Sequence, residues 1–141
     1  MNTPTFDGLI LLCEDNKMNQ EVISSRFAKL GLKTVTASNG RECVEIVQDR
    51  VKNSEKPFDL IFMDILMPVM DGVDATTEII KLNTGTPIIA MTSVNISSDR
   101  EKYISCGMSE CMSKPFTSKE LLECLMKYLT PVYTGDEDET P

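Results

Sequence analysis

Five polar side chains stand where short apolar runs end. Glu14 and Asp15 follow Leu9–Cys13, Asp64 follows Leu60–Met63, Thr92 follows Pro87–Met91, and Lys114 follows Met108–Ser113. Each has an ordinary structural reading on its own: Asp64 as a turn residue, Glu14 and Asp15 as solvated loop acids, Thr92 as an approach to a helix, Lys114-Pro115 as a turn. Taken together they suggest chemistry. Three carboxylates drawn close repel one another unless something positive sits among them. Oxygen donors of this kind suit a small hard cation, and Mg²⁺ keeps several waters while binding one or two carboxylates plus phosphate. A carboxylate nucleophile, a metal, and an amine and a hydroxyl to meet the equatorial oxygens are what phosphoryl transfer requires. The chain has no histidine. That removes histidine triads, imidazole bases and histidine metal sites, and any phosphohistidine must come from another molecule or domain.

For these residues to meet, the runs before them must be neighbouring strands. Leu60–Met63 is an unbroken apolar run, as expected of a strand buried on both faces, and Pro68 bars its continuation. Leu9–Cys13 and Pro87–Met91 read the same way; Lys33–Ala37 is a short β-branched strand and Met108–Ser113 the weakest of the five. Between them lie helical patterns. Asn16 caps a helix carrying Ile23, Phe27 and Leu30 up to a stop at Gly31; after an Asn39-Gly40 turn, a second carries Val44, Val47 and Val51. Asp71 caps a third with Ala75, Ile79 and Leu82 inward, broken by Thr84-Gly85-Thr86. Ser98 and Glu101 have capping-box spacing for a fourth that stops at Gly107, and Thr117 with Glu120 for a fifth bearing Leu121, Leu122, Leu125, Met126 and Leu129. Five strand–helix alternations predict an α/β fold: a parallel sheet with helices on both faces and right-handed crossovers. In a doubly wound sheet the carboxyl ends of the strands share one edge, with the first and third strands adjacent at the switch point.

The composition fits one soluble domain: 141 residues, 41% hydrophobic and 26% charged. Residues 1–7 read as a polar lead, 8–130 as the folded domain, and 131–141 as an acidic, disordered tail. Four of the eight excess negative charges are Asp136, Glu137, Asp138 and Glu139, leaving −4 for the body. An acidic body without a basic stripe argues against nucleic acid as a direct partner. The absence of a secretory signal and of any run near 20 apolar residues predicts a cytoplasmic protein without direct membrane contact. Cys13, Cys43, Cys106, Cys111 and Cys124 lack paired spacing and are expected to be reduced, small interior side chains.

Four segments carry a family resemblance: Leu12-Cys13-Glu14-Asp15-Asn16, Met63-Asp64-Ile65-Leu66-Met67-Pro68-Val69-Met70-Asp71-Gly72, Ile89-Ala90-Met91-Thr92 and Ser113-Lys114-Pro115-Phe116. As a set they resemble the receiver domain of two-component response regulators, from about Leu9 to Leu129. Glu14-Asp15-Asn16 followed by Asn19-Gln20-Glu21-Val22 looks most like receivers attached to hybrid histidine kinases. The resemblance implies a flavodoxin-like five-stranded sheet of order 2-1-3-4-5. It implies that Asp64 accepts a phosphoryl group from a partner's phosphohistidine, the partner being a histidine-containing phosphotransfer protein or a kinase dimerisation domain. Asp15 and Asp64 would ligate Mg²⁺ directly, Glu14 through water, and the Leu66 carbonyl would complete the set. Lys114 would pair with the phosphoryl oxygens, and Thr92 would bond the phosphoryl group and draw in the loop after it. The resemblance further implies a monomer, a cis Lys114-Pro115 peptide and a responsive face of fourth helix, fifth strand and last helix. The first helix would dock the partner, although Met18 and Val22 there are equally well read as core.

Two departures stand out. The family often places an aromatic switch residue three positions before the lysine; here that position is Cys111, so switching is left to Thr92 and backbone movement. Leu66 and Val94, two places after Asp64 and Thr92, are apolar and cannot guide a hydrolytic water, which predicts a long-lived phosphoryl group. A dehalogenase-type phosphatase would need a second aspartate where Leu66 stands. A dinucleotide-binding domain would need a glycine-rich loop after the first strand. A pseudo-receiver that only docks would be expected to lack the acceptor, an acid or the lysine, and all are present.

Overall fold

The computed structural model of the chain describes residues 4–93 and 96–132, and of residues 96–98 the backbone alone. The elements run β1 (Leu9–Cys13), α1 (Lys17–Lys29), β2 (Lys33–Ala37), α2 (Gly40–Lys52), β3 (Leu60–Asp64), α3 (Gly72–Ile80), β4 (Ile88–Thr92), α4 (Ile96–Cys106), β5 (Glu110–Ser113) and α5 (Ser118–Tyr128). The five strands form one parallel sheet of order β2-β1-β3-β4-β5. Period-two alternation divides its side chains between two layers. Leu11, Cys13, Ile61, Met63, Ile88 and Ala90 pack with residues of α2, α3 and α4. Ile10, Leu12, Leu60, Phe62, Ile89 and Met91 pack with residues of α1 and α5, where the Phe27 and Phe62 ring centroids lie 5.1 Å apart. Both faces of β3 and β4 are thus dry, which is why those strands read as continuous apolar runs.

Helix starts follow their caps. The side chains of Asn16, Asp71 and Thr117 accept from Asn19 N, Asp74 N and Glu120 N, and Glu120 returns the bond to Thr117 N at 2.8 Å. Asn39 caps α2 by accepting from Glu42 N at 2.9 Å, so Asn39-Gly40 starts a helix; the expected turn is corrected, because Asn serves both roles. The Ser98 capping box is also corrected: α4 begins at Ile96, which puts Ser98 inside its first turn. Val51 and Met126 are exposed, and Leu82 lies beyond the end of α3.

Two other expectations change. Thr5–Phe6, from the predicted polar lead, pairs antiparallel with Pro131–Val132 from the predicted tail. Phe6 is buried in the α1/α5 layer, which draws the lead onto the domain; residues 133–141 lie outside the described residues. Cys13 and Cys43 are joined by a disulfide, and Cys106, Cys111 and Cys124 are free, which corrects the expectation of five reduced thiols. The connection β1–α1–β2–α2 brings residues 30 apart in sequence to a Cα–Cα separation of 6.2 Å, within bridging range. Linear spacing gives no sign of it.

Candidate phosphoacceptor and metal site

Glu14 continues directly from β1, and its amide donates to Ala37 O at 3.0 Å, which ties the end of β1 to β2. Asn16 N donates to Glu14 Oε2 at 3.0 Å, so the bend into α1 also aims that carboxylate. Asp64 is the last residue of β3, and the chain leaves it through Ile65 N, which donates to Met91 O at 3.1 Å. Glu14, Asp15 and Asp64 bring one oxygen each to within 4.8 Å of one another. Glu14 and Asp64 are buried and Asp15 is exposed.

Lys114 reaches this cluster from the end of β5. Its Nζ lies 2.9 Å from Glu14 Oε1 and 3.1 Å from Asp64 Oδ2. Its backbone amide donates to Thr92 O at 2.8 Å, and the peptide to Pro115 is cis, as the resemblance implied. Burial pushes the Asp64 carboxyl up to about 6, Lys114 pulls it back, and Glu14 and Asp15 push it further up. Burial works against the Lys114 ammonium, but the bonds and charges of Glu14 and Asp64 outweigh it and hold its pKa above the usual lysine value. The arrangement can hold a cation among oxygens and present a carboxylate beside a fixed ammonium.

Thr92 ends β4, 1% exposed, one strand over from Asp64. Leu66 follows β3 in the next loop with an exposed side chain, and Cys111 sits lower on β5, paired in register with Ala90. Val94 lies outside the described residues. Met18 and Val22 are 72% and 49% exposed, so the reading of this part of α1 as core is overturned; Gln20, Ile23 and Phe27 face inward instead.

The family model described as "Response regulator receiver domain" matches residues 10–126, most of the chain and all five site positions. The chain belongs to the response regulator receiver domain family. This receiver is 39% identical over 120 residues to the transcription factor SKN7 of Chaetomium thermophilum, covering 85% of this chain and 15% of that protein. It is 35% identical over 120 residues to hybrid signal transduction histidine kinase I of Dictyostelium discoideum, covering 82% of this chain and 7% of that one. The chain therefore spans only a small part of these relatives.

Among solved structures the receiver superposes on the receiver domain of a Pseudomonas aeruginosa PAO1 sensor histidine kinase, which has a magnesium ion coordinated in its active-site cleft. The TM-score is 0.75 and the identity 35%, with 86% of this chain and 96% of that one covered. It also superposes on a Saccharomyces cerevisiae co-crystal of the histidine phosphotransfer signalling protein Ypd1 and the receiver domain of Ssk1, with TM-score 0.76, 26% identity and 89% of each chain covered.

Sequence reasoning missed one residue at this receiver's site. Gln20 is buried in α1, where Nε2 donates to Glu14 O at 2.5 Å and to Ser38 Oγ at 3.2 Å, joining the acidic pair to the loop after β2. A polar residue on the inward stripe shared with Ile23 and Phe27 was the available signal.

Proposed function

We propose that this receiver takes a phosphoryl group from a partner's phosphohistidine onto Asp64, with Mg²⁺ as cofactor, within a two-component phosphorelay. The observation that carries the reading is Lys114 bridging Glu14 and Asp64, beside a third carboxylate, at one edge of the sheet. An Asp64 oxygen attacks phosphorus, the bond from phosphorus to the imidazole nitrogen breaks, and its electron pair stays on the histidine. The Lys114 ammonium stays next to Asp64 and offers its donors to the phosphoryl oxygens, and Thr92, at the adjoining strand end, offers a hydroxyl. Because the nucleophile must be ionised, burial that lifts the Asp64 carboxyl to about 6 still leaves a carboxylate at neutral pH.

The donor set fits a small hard cation: three carboxylate oxygens within 4.8 Å, one of them raised in pKa by burial and by its acidic neighbours. Asp15 and Asp64 would hold it directly, Glu14 through water, with the Leu66 carbonyl as the further protein donor. Bound there, the ion supplies positive charge against the carboxylates and the phosphoryl oxygens.

The partner would be a histidine-containing phosphotransfer protein or a kinase dimerisation domain, and the parent protein a hybrid histidine kinase. Exposed Met18 and Val22 on α1 give an apolar docking face. It continues into a groove of about 370 Å³ lined by Asn19, Val22, Arg26, Lys114, Pro115 and Phe116. The receiver acts as a monomer in the cytoplasm; among the described residues no helix is long and apolar enough to cross a membrane. Incubation with a ³²P-labelled histidine phosphotransfer protein should label Asp64. Label that persists in Asp64→Asn, or in the presence of chelator, rejects the reading in favour of another acceptor or a metal-free route; no label at all favours a docking module.

A further inference from the structure

Cys13, the residue before Glu14, is joined by a disulfide to Cys43, in the first turn of α2. Both side chains are 0% exposed, in the layer that also holds Leu11, Ala37, Val44 and Met63. The bridge therefore ties the strand that presents Glu14 to the start of α2. Hydrogen bonds converge on the same turn. Glu14 N donates to Ala37 O at 3.0 Å, and Gln20 Nε2 donates both to Glu14 O and to Ser38 Oγ. Ser38 N donates to Glu42 Oε1 at 2.8 Å, and Gly40 N donates to Met70 O at 2.9 Å, in the loop that follows Asp64. A Cβ on Gly40 would collide with Met70 O and stand 3.0 Å from Asp71 O, so this contact is close. The start of α2 thus touches both stretches of chain that carry the acids.

We propose that Cys13 and Cys43 are a redox modification site whose state sets how tightly the acidic cluster holds Mg²⁺. The Mg²⁺ site and the compartment both rest on the reading under Proposed function. Thiols in the cytoplasm are kept reduced, and disulfides formed there are characteristically transient and redox-sensing. Cys106, Cys111 and Cys124 remain thiols, as suits such a compartment. The oxidant is hydrogen peroxide, because sulfurs with 0% exposure meet a small neutral molecule during local opening more readily than a glutathione-sized disulfide. Two S–H bonds break and one S–S bond forms. Two electrons and two protons pass to the peroxide, whose O–O bond breaks to give two waters. A dithiol reverses the step by exchange and is itself left as a disulfide. Opened, the pair must fit two separate thiols into a close-packed layer, so the start of α2 moves off β1. The bonds from Gln20 to Ser38 and from Gly40 to Met70 carry that shift to Glu14 and to the loop after Asp64. Oxidised, the carboxylates are gathered as described; reduced, they are held less closely.

The test compares the full chain after hydrogen peroxide and after dithiothreitol, both applied to folded protein. Mass spectrometry of digests, with free thiols capped during acid quenching, should find Cys13 linked to Cys43 in the first sample and all five cysteines capped in the second. Calorimetric titration should show Mg²⁺ bound about tenfold tighter by the oxidised chain, the effect expected of outer partners of a metal site. Cys43→Ala, or Cys43→Ser should that variant fail to fold, should give one Mg²⁺ affinity after either treatment. A merely structural bridge would not open in folded protein. A bridge that dithiothreitol leaves closed, or that peroxide does not re-form, overturns the proposal. Equal Mg²⁺ affinities in the two states also overturn it, and Asp64 still labelled by the histidine donor then leaves the receiver reading intact. A redox-dependent Mg²⁺ affinity with no label on Asp64 in either state upholds the switch and overturns the phosphoacceptor reading.

Discussion

Asp64 is ionised in a place that resists ionisation. Its carboxyl rises from 3.8 to about 6, chiefly by burial, because Lys114 only partly offsets the desolvation and the two other acids add to it. For an acid with a raised folded-state pKa, the destabilisation is absent below the unfolded value near 3.8, grows between there and about 6, and is complete above. An asparagine copies the neutral acid. In metal-free protein Asp64→Asn should therefore be about 2–3 kcal/mol more stable than wild type at pH 7. The advantage should vanish below about pH 4; urea midpoints at pH 7 and pH 3.5 measure it, and equal midpoints at pH 7 would show that Asp64 is not strained. Leu66 poses a different question. Its side chain, two residues after Asp64, is 62% exposed and offers no hydrogen bond to water. Leu66→Asn supplies one, and decay of labelled Asp64 should quicken by about five- to tenfold; identical decay curves would discard the long-lifetime reading.

The loop from Ile65 to Asp71 is held more tightly than its exposed apolar tip suggests. Val69 adopts φ 70°, a region β-branched residues avoid, and Met70 N donates back to Pro68 O at 2.7 Å across it. The ends are clamped by glycines: Gly72 N donates to Ile65 O at 2.8 Å and Gly40 N to Met70 O at 2.9 Å. A Cβ on Gly72 would collide with Asp64 O and stand 3.0 Å from Ile65 Cα. Gly72→Ala should thus cost about 1–3 kcal/mol and weaken Mg²⁺ binding at the proposed site by about tenfold, since it pushes on the backbone of Asp64. Calorimetric titration with Mg²⁺ reads the second effect, and full affinity would show that the loop yields without disturbing the site. At this scale the sequence was uneven as a guide. β1, β3 and β4 were legible because burial on both faces leaves unbroken apolar runs, and Thr117 with Glu120 because a cap is a local bargain between neighbours in the chain. The Asn39 cap was hidden by a dipeptide that also makes turns. The Cys13–Cys43 bridge depends on which helix lies over which strand, and no local pattern encodes that.

Across the whole molecule, chemistry and anchorage occupy opposite ends of the sheet. Glu14, Asp15, Asp64 and Lys114 gather at the strands' carboxyl ends, whereas the Thr5–Phe6 and Pro131–Val132 ribbon lies by the amino end of β1. A five-residue strand separates the two by about 16 Å. The ribbon also falls outside residues 10–126, the span that matches the family, so the fold's common core is complete without it. What it adds is Phe6, 3% exposed in the α1/α5 layer, with its amide donating to Leu30 O at 2.7 Å and Thr5 Oγ1 donating to Val132 O at 2.9 Å. Phe6→Ala should lower unfolding stability by about 3–5 kcal/mol, the usual cost of emptying a buried aromatic site. Below the lowered melting temperature, Mg²⁺ affinity and the rate of Asp64 labelling should match wild type, because among the described residues no element runs from Phe6 to Asp64 except through the rigid centre of the sheet. Denaturant titration and labelling of the same sample separate the outcomes. Lost labelling in a protein still folded would mean that the ribbon reports to the site, and the division between anchoring end and reacting end would have to be abandoned.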